Sequence, residues 1–227
     1  MEEDILKYIN KITKKATMPK RILEHFILMG TSTVSDIAKN IDVSLPTAAA
    51  ALNDLMVHGL VKEVGKKETT TGRIPMLYDL NPKAGYFVGA NPEMSHLALT
   101  ATDFCGNPIV EKTNVPYLYE NTVENLEQMG QILNQFIDSL PVKREDILNV
   151  CVNIAERVNA HEGKTYTIFS FNEEPLTKRI SEMIDLPVCI ENDTRSMTYA
   201  EFIKGSCRGL KDVIFVNVCW GIGIGII

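Results

Sequence analysis

Residues 33–80 read TVSDIAKNIDVSLPTAAAALNDLMVHGLVKEVGKKETTTGRIPMLYDL, and this stretch decides the fold of the N-terminal part. Val34, Ile37, Ala38 and Ile41 fall at i, i+3, i+4 and i+7, one apolar face of a helix. Asp42 and Val43 make a short connection to Ser44, a residue type that caps a helix by accepting from backbone N–H groups of its first turn. In the next helix Ala48, Ala51, Leu52 and Leu55 repeat the spacing, while Thr47, Ala50, Asn53 and Asp54 point the other way. Gly59 stops that helix. Leu60 to Val64 reads as a strand, the first arm of a basic hairpin that ends in Thr71-Gly72-Arg73-Ile74-Pro75. Helix, turn, helix and hairpin in this order spell a winged helix-turn-helix, a unit that puts its second helix into a DNA major groove.

The outward residues suit that task. Thr and Ala approach base edges closely and can touch a thymine methyl without blocking entry. The hairpin carries Lys62, Lys66, Lys67 and Arg73 around a tip of Gly65 and Thr69 to Thr71. Cations and hydroxyls there suit phosphate or minor-groove contact, which positions a protein on DNA without specifying sequence. The expected DNA-binding residues are therefore Ser44, Pro46, Thr47, Ala50 and Asn53 of the second helix with Lys66, Lys67 and Arg73 of the wing. Pro75 is expected on an edge strand, where its missing N–H is tolerated. The plainer alternative is a small helical domain for protein contact, its lysines only solvating a loop.

Charge separates this region from the rest. Residues 1–83 hold 12 Lys and Arg against 10 Asp and Glu, a balance of +2, whereas residues 84–227 hold 11 against 19, a balance of −8. Positive charge collects around the wing and the remainder repels DNA, which predicts two domains, 1–83 and 84–227. With 227 residues, 45% of them apolar, two ordinary cores are within reach. The five cysteines (Cys105, Cys151, Cys189, Cys207 and Cys219) include no CxxC pair, so neither a zinc knuckle nor a disulfide framework is signalled. Cys151 and Cys189 lie within apolar runs and are read as buried thiols. The lack of a signal-peptide pattern and of any apolar run approaching about 18 residues predicts a cytoplasmic location and no membrane partner.

Two helices are expected ahead of the winged unit, Glu3 to Thr13 and Pro19 to Met29. After Asn81-Pro82-Lys83 strands begin: Gly85 to Ala90, His96 to Asp103 and Ile109 to Val115, then a helix from about Thr122 to Leu140. Ile147 to Ile154, apolar apart from Asn149 and Asn153, reads as a buried parallel strand. A polar loop from Ala155 to Lys164, a helix from Leu176 to Ile184, a strand Pro187 to Ile190, a helix from Thr194 to Lys204 and a strand Val213 to Val218 follow. Three strands and then alternating helices and strands indicate an α/β domain with a mixed sheet.

Two motifs carry the chemistry of this second part. A buried strand delivers Glu191-Asn192-Asp193 to the start of a helix. Ligands of open α/β sheets bind at the carboxyl ends of strands, and an Asn with an Asp suits the hydroxyls of a sugar. The alternative is that Asn192 or Asp193 simply caps the helix. The second motif is Gly221-Ile222-Gly223-Ile224-Gly225. It lacks the Lys-Ser/Thr of a P-loop and the third glycine of a dinucleotide fingerprint, so it reads as a tight hairpin turn.

Taken together, the winged helix ending in Gly72-Arg73-Ile74-Pro75, the β-rich start at Gly85, Ile190-Glu191-Asn192-Asp193, the Tyr199-Ala200-Glu201 helix with Gly205 and the Val218-Cys219-Trp220-Gly221-Ile222-Gly223 turn resemble the ROK family. That family groups sugar-responsive transcriptional repressors with bacterial sugar kinases. The resemblance implies a ribonuclease-H-like, actin-like, sugar-kinase-like second domain, of which the chain holds the first lobe. It implies sugar contacts at Asn192 and Asp193, the latter standing where the kinases have their general base. Gly221, Gly223 and Gly225 match a turn that faces nucleotide phosphate in the kinases and is architectural in the repressors.

Departures from the family pattern choose between its branches. The kinases have Asp-x-Gly-Gly-Thr in the first hairpin, where backbone amides cradle ATP phosphates; here the stretch is Ala90-Asn91-Pro92-Glu93-Met94-Ser95. It has no glycine pair, and Glu93 repels phosphate, a severe loss for a reaction that rests on positioning and charge stabilisation. Ala155-Glu156-Arg157-Val158-Asn159 has Glu156 where the family usually has Gly, so Glu156 is expected either to disturb the sugar-side loop or to read a different ligand. The chain stops at Ile227, before the family's Glu-x-Gly-His sugar motif and cysteine-rich zinc site, so no metal or cofactor site is assigned. Ile222, Ile224, Ile226 and Ile227 form an apolar terminal strand expected to be disordered or covered by a homodimer partner.

The leading expectation is thus a non-enzymatic repressor of carbohydrate-utilisation genes that binds an operator in duplex DNA as a homodimer and is released by a sugar or sugar phosphate. The alternatives are a ROK-type sugar kinase with an extra N-terminal domain and an interaction module without a ligand.

Overall fold

The computed structural model describes residues 2–13, 17–68, 74–219 and 221–227. The chain divides into two compact units, residues 1–84 and 85–227.

The first unit consists of α1 (Glu2–Thr13), α2 (Met18–Met29), α3 (Val34–Asn40), α4 (Leu45–Val57) and an antiparallel pair, β1 (Val61–Lys66) with β2 (Met76–Leu80). Local chemistry sets each boundary. The Thr17 hydroxyl accepts from Lys20 N to open α2, and Gly30 closes that helix at a φ of 74° that side chains disfavour. Thr33 and Asp36 form a reciprocal capping box on α3. Ser44 accepts from Thr47 N to cap α4, as its residue type predicts, with Pro46 in the first turn where a missing N–H costs nothing. Ile22, Phe26, Ile37, Ala48, Leu52, Leu55 and Leu60 build the core. Ser32 exchanges backbone hydrogen bonds with Tyr78 of β2, which ties the entry of α3 to the hairpin.

Two expectations change here. Pro75 lies just before β2 instead of within an edge strand; its carbonyl accepts from Lys67 N, a role that needs no N–H of its own. Asp54 does not face solvent freely, because its carboxylate accepts from the Tyr8 hydroxyl of α1 at 2.5 Å and lies 3.5 Å from His58 Nδ1. Tyr8 also stacks on the His58 ring at 3.6 Å, so α1 is docked on the end of α4. The hairpin tip, residues 69–73 with Arg73, lies outside the described residues.

The second unit opens with β3 (Tyr86–Pro92), β4 (His96–Asp103) and β5 (Pro108–Pro116), an antiparallel meander. Then come α5 (Val123–Asp138), β6 (Ile147–Ile154), the two-residue strands β7 (Val158–Asn159) and β8 (Lys164–Thr165), α6 (Leu176–Ile184), β9 (Val188–Asn192) and α7 (Asp193–Ile203). β6 runs parallel to β3 and β9 parallel to β6, giving a mixed sheet of order β5-β4-β3-β6-β9. One sheet face, with Val88, Ala90, Leu97, Leu99, Val150, Val152 and Ile190, packs against Leu126, Met129, Leu133 and Phe136 of α5 and Ile180 and Ile184 of α6. The expected polar loop after Ala155 contains the β7–β8 hairpin. Cys151 and Cys189 are half-buried, not buried, since the two-residue period of a strand sends them to the face opposite Val150, Val152 and Ile190.

The end of the chain also departs from its sequence reading. β10 (Ile214–Val218) and β11 (Ile222–Ile226) form an antiparallel ladder, so Gly223 and Gly225 sit in a strand and not in a turn. The terminal strand is ordered, with Ile222, Ile224 and Ile226 at 75%, 63% and 76% exposure. Directly across from them stand the exposed Val218, Val216 and Ile214. The glycines face α7: a Cβ on Gly223 would overlap Thr194, and one on Gly225 would overlap Thr198.

Gly225→Ala is therefore expected to destabilise the second unit by about 1–3 kcal/mol through overpacking, seen as a lowered Tm in calorimetry. In the first unit, Thr33→Ala should cost about 1 kcal/mol by loss of the cap. The Thr33 hydrogen bonds and Lys67 hold the Asp36 carboxyl below the usual carboxylate range. The stability this supplies is present above the unfolded-state pKa and lost as pH falls through the folded one. Chemical denaturation of Asp36→Asn against wild type between neutral and acid pH should show the variant losing less stability on acidification.

Candidate functional site

In the first unit the predicted recognition residues are on α4. Ser44, Pro46, Thr47, Ala50 and Asn53 are all exposed, while Ala48, Leu52 and Leu55 are buried. Packing of the apolar stripe thus leaves one small, polar strip to solvent. The Ser44 and Thr47 hydroxyls lie 2.7 Å apart, so Ser44 shapes the helix start as well as bordering the strip. On β1 Lys66 is exposed. Lys67 is exposed too, but its ammonium lies 3.3 Å from Asp36 and ties the hairpin base to the first turn of α3. That pairing spans 31 residues, and no local sequence pattern reports it.

In the second unit a cleft of about 530 Å³ opens where β6 and β9 end. It is lined by Asn91, Glu93, Met94, Tyr119, Ala155, Asn192, Asp193, Asn217, Gly221 and Gly223 among others. Parallel pairing places Ile154 opposite Asn192, so both strands deliver their following residues to the same edge. The capping reading of Asn192 is realised, and its amide has further partners. Its Oδ1 accepts from Arg195 N and caps α7, while its Nδ2 donates to the Glu156 carbonyl at 3.0 Å and to Asp193 Oδ1 at 3.1 Å. Asp193 Oδ1 accepts from Thr194 N at 2.6 Å as well. The cap fixes the amide, and the amide in turn orients the carboxylate.

Glu156 neither disturbs the loop nor presents its carboxylate freely. Its oxygens accept from Thr167 N at 3.0 Å, Ile168 N at 2.8 Å and the Thr167 hydroxyl. It fastens the segment after β8 to the segment after β6, and Asn121 holds the same segment through Thr167 O and Phe169 N.

Tyr119 is one cleft residue that sequence reading missed. Its backbone N–H donates to Met94 O, its ring meets Phe169 edge-on, and its hydroxyl is buried with no hydrogen-bond partner among the described residues. Burial, reinforced by Tyr117, Glu156 and Asp193, raises its pKa, so the phenol stays a neutral donor. An unmatched buried hydroxyl costs about 1–3 kcal/mol. A tyrosine in a strand-to-helix segment carries no sequence signal for such a place.

The stretch where the kinases cradle phosphate is closed differently here. Glu93 N donates to His96 O, and the Glu93 carboxylate lies 3.2 Å from His96 Nε2. Of the glycine motif, Gly221 and Gly223 line the cleft and Gly225 lies farther along β11. Among the described residues no cluster of three or more His, Cys, Asp or Glu is placed to hold a metal ion, and no helix is long and apolar enough to cross a membrane.

Comparison with known proteins places this arrangement. The xylose repressor of Bacillus subtilis strain 168 is 23% identical over 215 residues, covering 94% of this chain and 56% of the relative. Among solved structures, a ROK family transcriptional regulator described as a homolog of the E. coli MLC protein superposes with a TM-score of 0.71 at 17% identity, over 92% of this chain and 53% of its own. A ROK family glucokinase from Streptomyces griseus, solved with glucose and AMPPNP, gives a TM-score of 0.52 at 22% identity, over 63% of this chain and 44% of its own. The second unit therefore has the α/β fold of sugar kinases. The chain spans about half the length of the curated relatives it matches. The ROK family profile matches residues 95–227, more than half of the sequence, and the chain belongs to the ROK family.

Proposed function

We propose that this chain is a sugar-responsive, DNA-binding transcriptional repressor of carbohydrate-utilisation genes. Residues 1–83 act as its winged helix-turn-helix domain and residues 84–227 as a ribonuclease-H-like ligand lobe. The observation that carries the reading is the solvent-facing strip of Thr47, Ala50 and Asn53 on the capped helix α4, next to an exposed basic hairpin. Small side chains on that strip allow close approach to base edges, and Asn53 can pair bidentately with adenine. Lys66, Lys67 and Arg73 supply phosphate contacts. A homodimer matches the two half-sites of a palindromic operator.

Asn192 and Asp193 hold the sugar in the cleft, with Gly221, Gly223 and Gly225 serving as architecture. The sugar acts by binding one of two conformations better than the other. The name of the Bacillus subtilis relative makes D-xylose the first sugar to test. The kinase alternative is disfavoured by the β3–β4 turn: it has no glycine pair, and its Glu93 carboxylate opposes phosphate.

Duplexes selected by the full chain from a randomised pool provide the DNA test. Asn53→Ala should relax preference at one base position, at a cost of about 1–3 kcal/mol. Lys66→Ala should weaken all sequences alike and reduce the salt slope by about 1. Salt-insensitive binding would overturn the assignment of this face to DNA. For the cleft, calorimetry with D-xylose should show binding weakened roughly 10- to 100-fold by Asp193→Asn, the loss of a charge-assisted hydrogen bond. An ATP-dependent phosphorylation assay over D-xylose and D-glucose should show no turnover; turnover abolished by Asp193→Asn would establish the kinase reading instead.

A further inference from the structure

Cys151 of β6 and Cys189 of β9 are direct partners in the parallel register. Paired strands lie about 4.8 Å apart, inside the roughly 4.4–6.8 Å between Cα atoms that a disulfide spans. Both side chains leave the sheet on the same face, opposite the one that carries Val150, Val152 and Ile190 into the core. The adjacent sulfurs act on each other's titration, raising the pKa of Cys151 and lowering that of Cys189. Both residues are half-buried. Neither residue lines the cleft or belongs to the α4 surface.

We propose that Cys151 and Cys189 form a two-cysteine oxidation site for a small hydroperoxide, closing to a disulfide between β6 and β9. The neighbouring sulfur lowers the pKa of Cys189 and raises that of Cys151, which gives the two sulfurs different roles. The Cys189 thiolate attacks one peroxide oxygen, the O–O bond breaks, and Cys189 becomes a sulfenic acid while the other oxygen leaves as water or, from an organic hydroperoxide, as the alcohol. The Cys151 sulfur then attacks the sulfenic sulfur, loses its proton and expels the hydroxyl as a second water. In total two thiols and one hydrogen peroxide give one disulfide and two waters, sulfur losing the two electrons that the peroxide gains. A dithiol reverses the reaction by exchange. The crosslink would lie three residues before Asn192 on the strand that carries it to the cleft.

The test uses the reduced full chain, treated with hydrogen peroxide, quenched with N-ethylmaleimide and digested with trypsin, which cuts between the two cysteines. Mass spectrometry should find the Cys151 and Cys189 peptides joined and lighter by two thiol hydrogens, and a dithiol should restore the separate, maleimide-reactive peptides. Cys151→Ser should stall Cys189 as a sulfenic acid that dimedone traps, and Cys189→Ser should leave Cys151 unreacted over the same interval. Circular dichroism on both variants and on Cys151→Ala separates a chemical effect from misfolding. Unlinked, maleimide-labelled Cys151 and Cys189 after peroxide, or overoxidation of Cys189 in the wild type without a crosslink, would overturn the proposal.

Discussion

The second unit depends on the parallel pairing of β6 with β9. That ladder sets Ile154 opposite Asn192, so two segments 36 residues apart meet through the Asn192 amide and the Glu156 carbonyl. The placement of Asn192 and Asp193 at the cleft follows from this junction. Asn192 caps α7 with one end of its amide and orients Asp193 with the other. α7 then supplies Thr194 and Thr198, and β11 approaches them only because Gly223 and Gly225 have no side chains. An amide committed to cap, carbonyl and carboxylate at once has little freedom left, so the carboxylate is held in place.

The first unit rests on a different economy. Its helices are short, α3 only 7 residues, and helices of that length do not persist on propensity alone. The capping box at Thr33 and Asp36, the Ser44 cap and the Pro residues in the first turns of α2 and α4 set where each helix begins. Burial of Ile22, Ile37, Leu52 and Leu55 then holds the helices together. Asp36 serves twice, in the cap and in the pair with Lys67. The start of α3 and the base of the hairpin are thereby linked.

Much of this was legible in the chain because it follows from neighbours. β6 at Ile147–Ile154 and α6 at Leu176–Ile184 fall where the sequence reading puts them, and Ser44 caps as its residue type predicts. Other features were not legible, since they depend on residues remote in sequence. Glu156 reads as an intrusion in a loop until Thr167 and Ile168 are seen to donate to it. Asp54 reads as an outward acid until Tyr8 arrives from α1. Gly223 and Gly225 read as a turn, because a glycine required by a neighbouring helix looks the same as one required by its own backbone.

The sequence by itself determined the order of elements, the split of charge between the two parts, the outward strip on α4 and the family to which the chain belongs. Those rest on periodicity, capping chemistry and short motifs, all of which act within a few residues. Only the tertiary structure decided that Tyr119 borders the cleft with an unmatched hydroxyl, that Lys67 is engaged with Asp36, and that Cys151 and Cys189 stand side by side. Each of these is a meeting of side chains from separate elements. Such a meeting is fixed by sheet register and helix docking, and no window along the chain contains it.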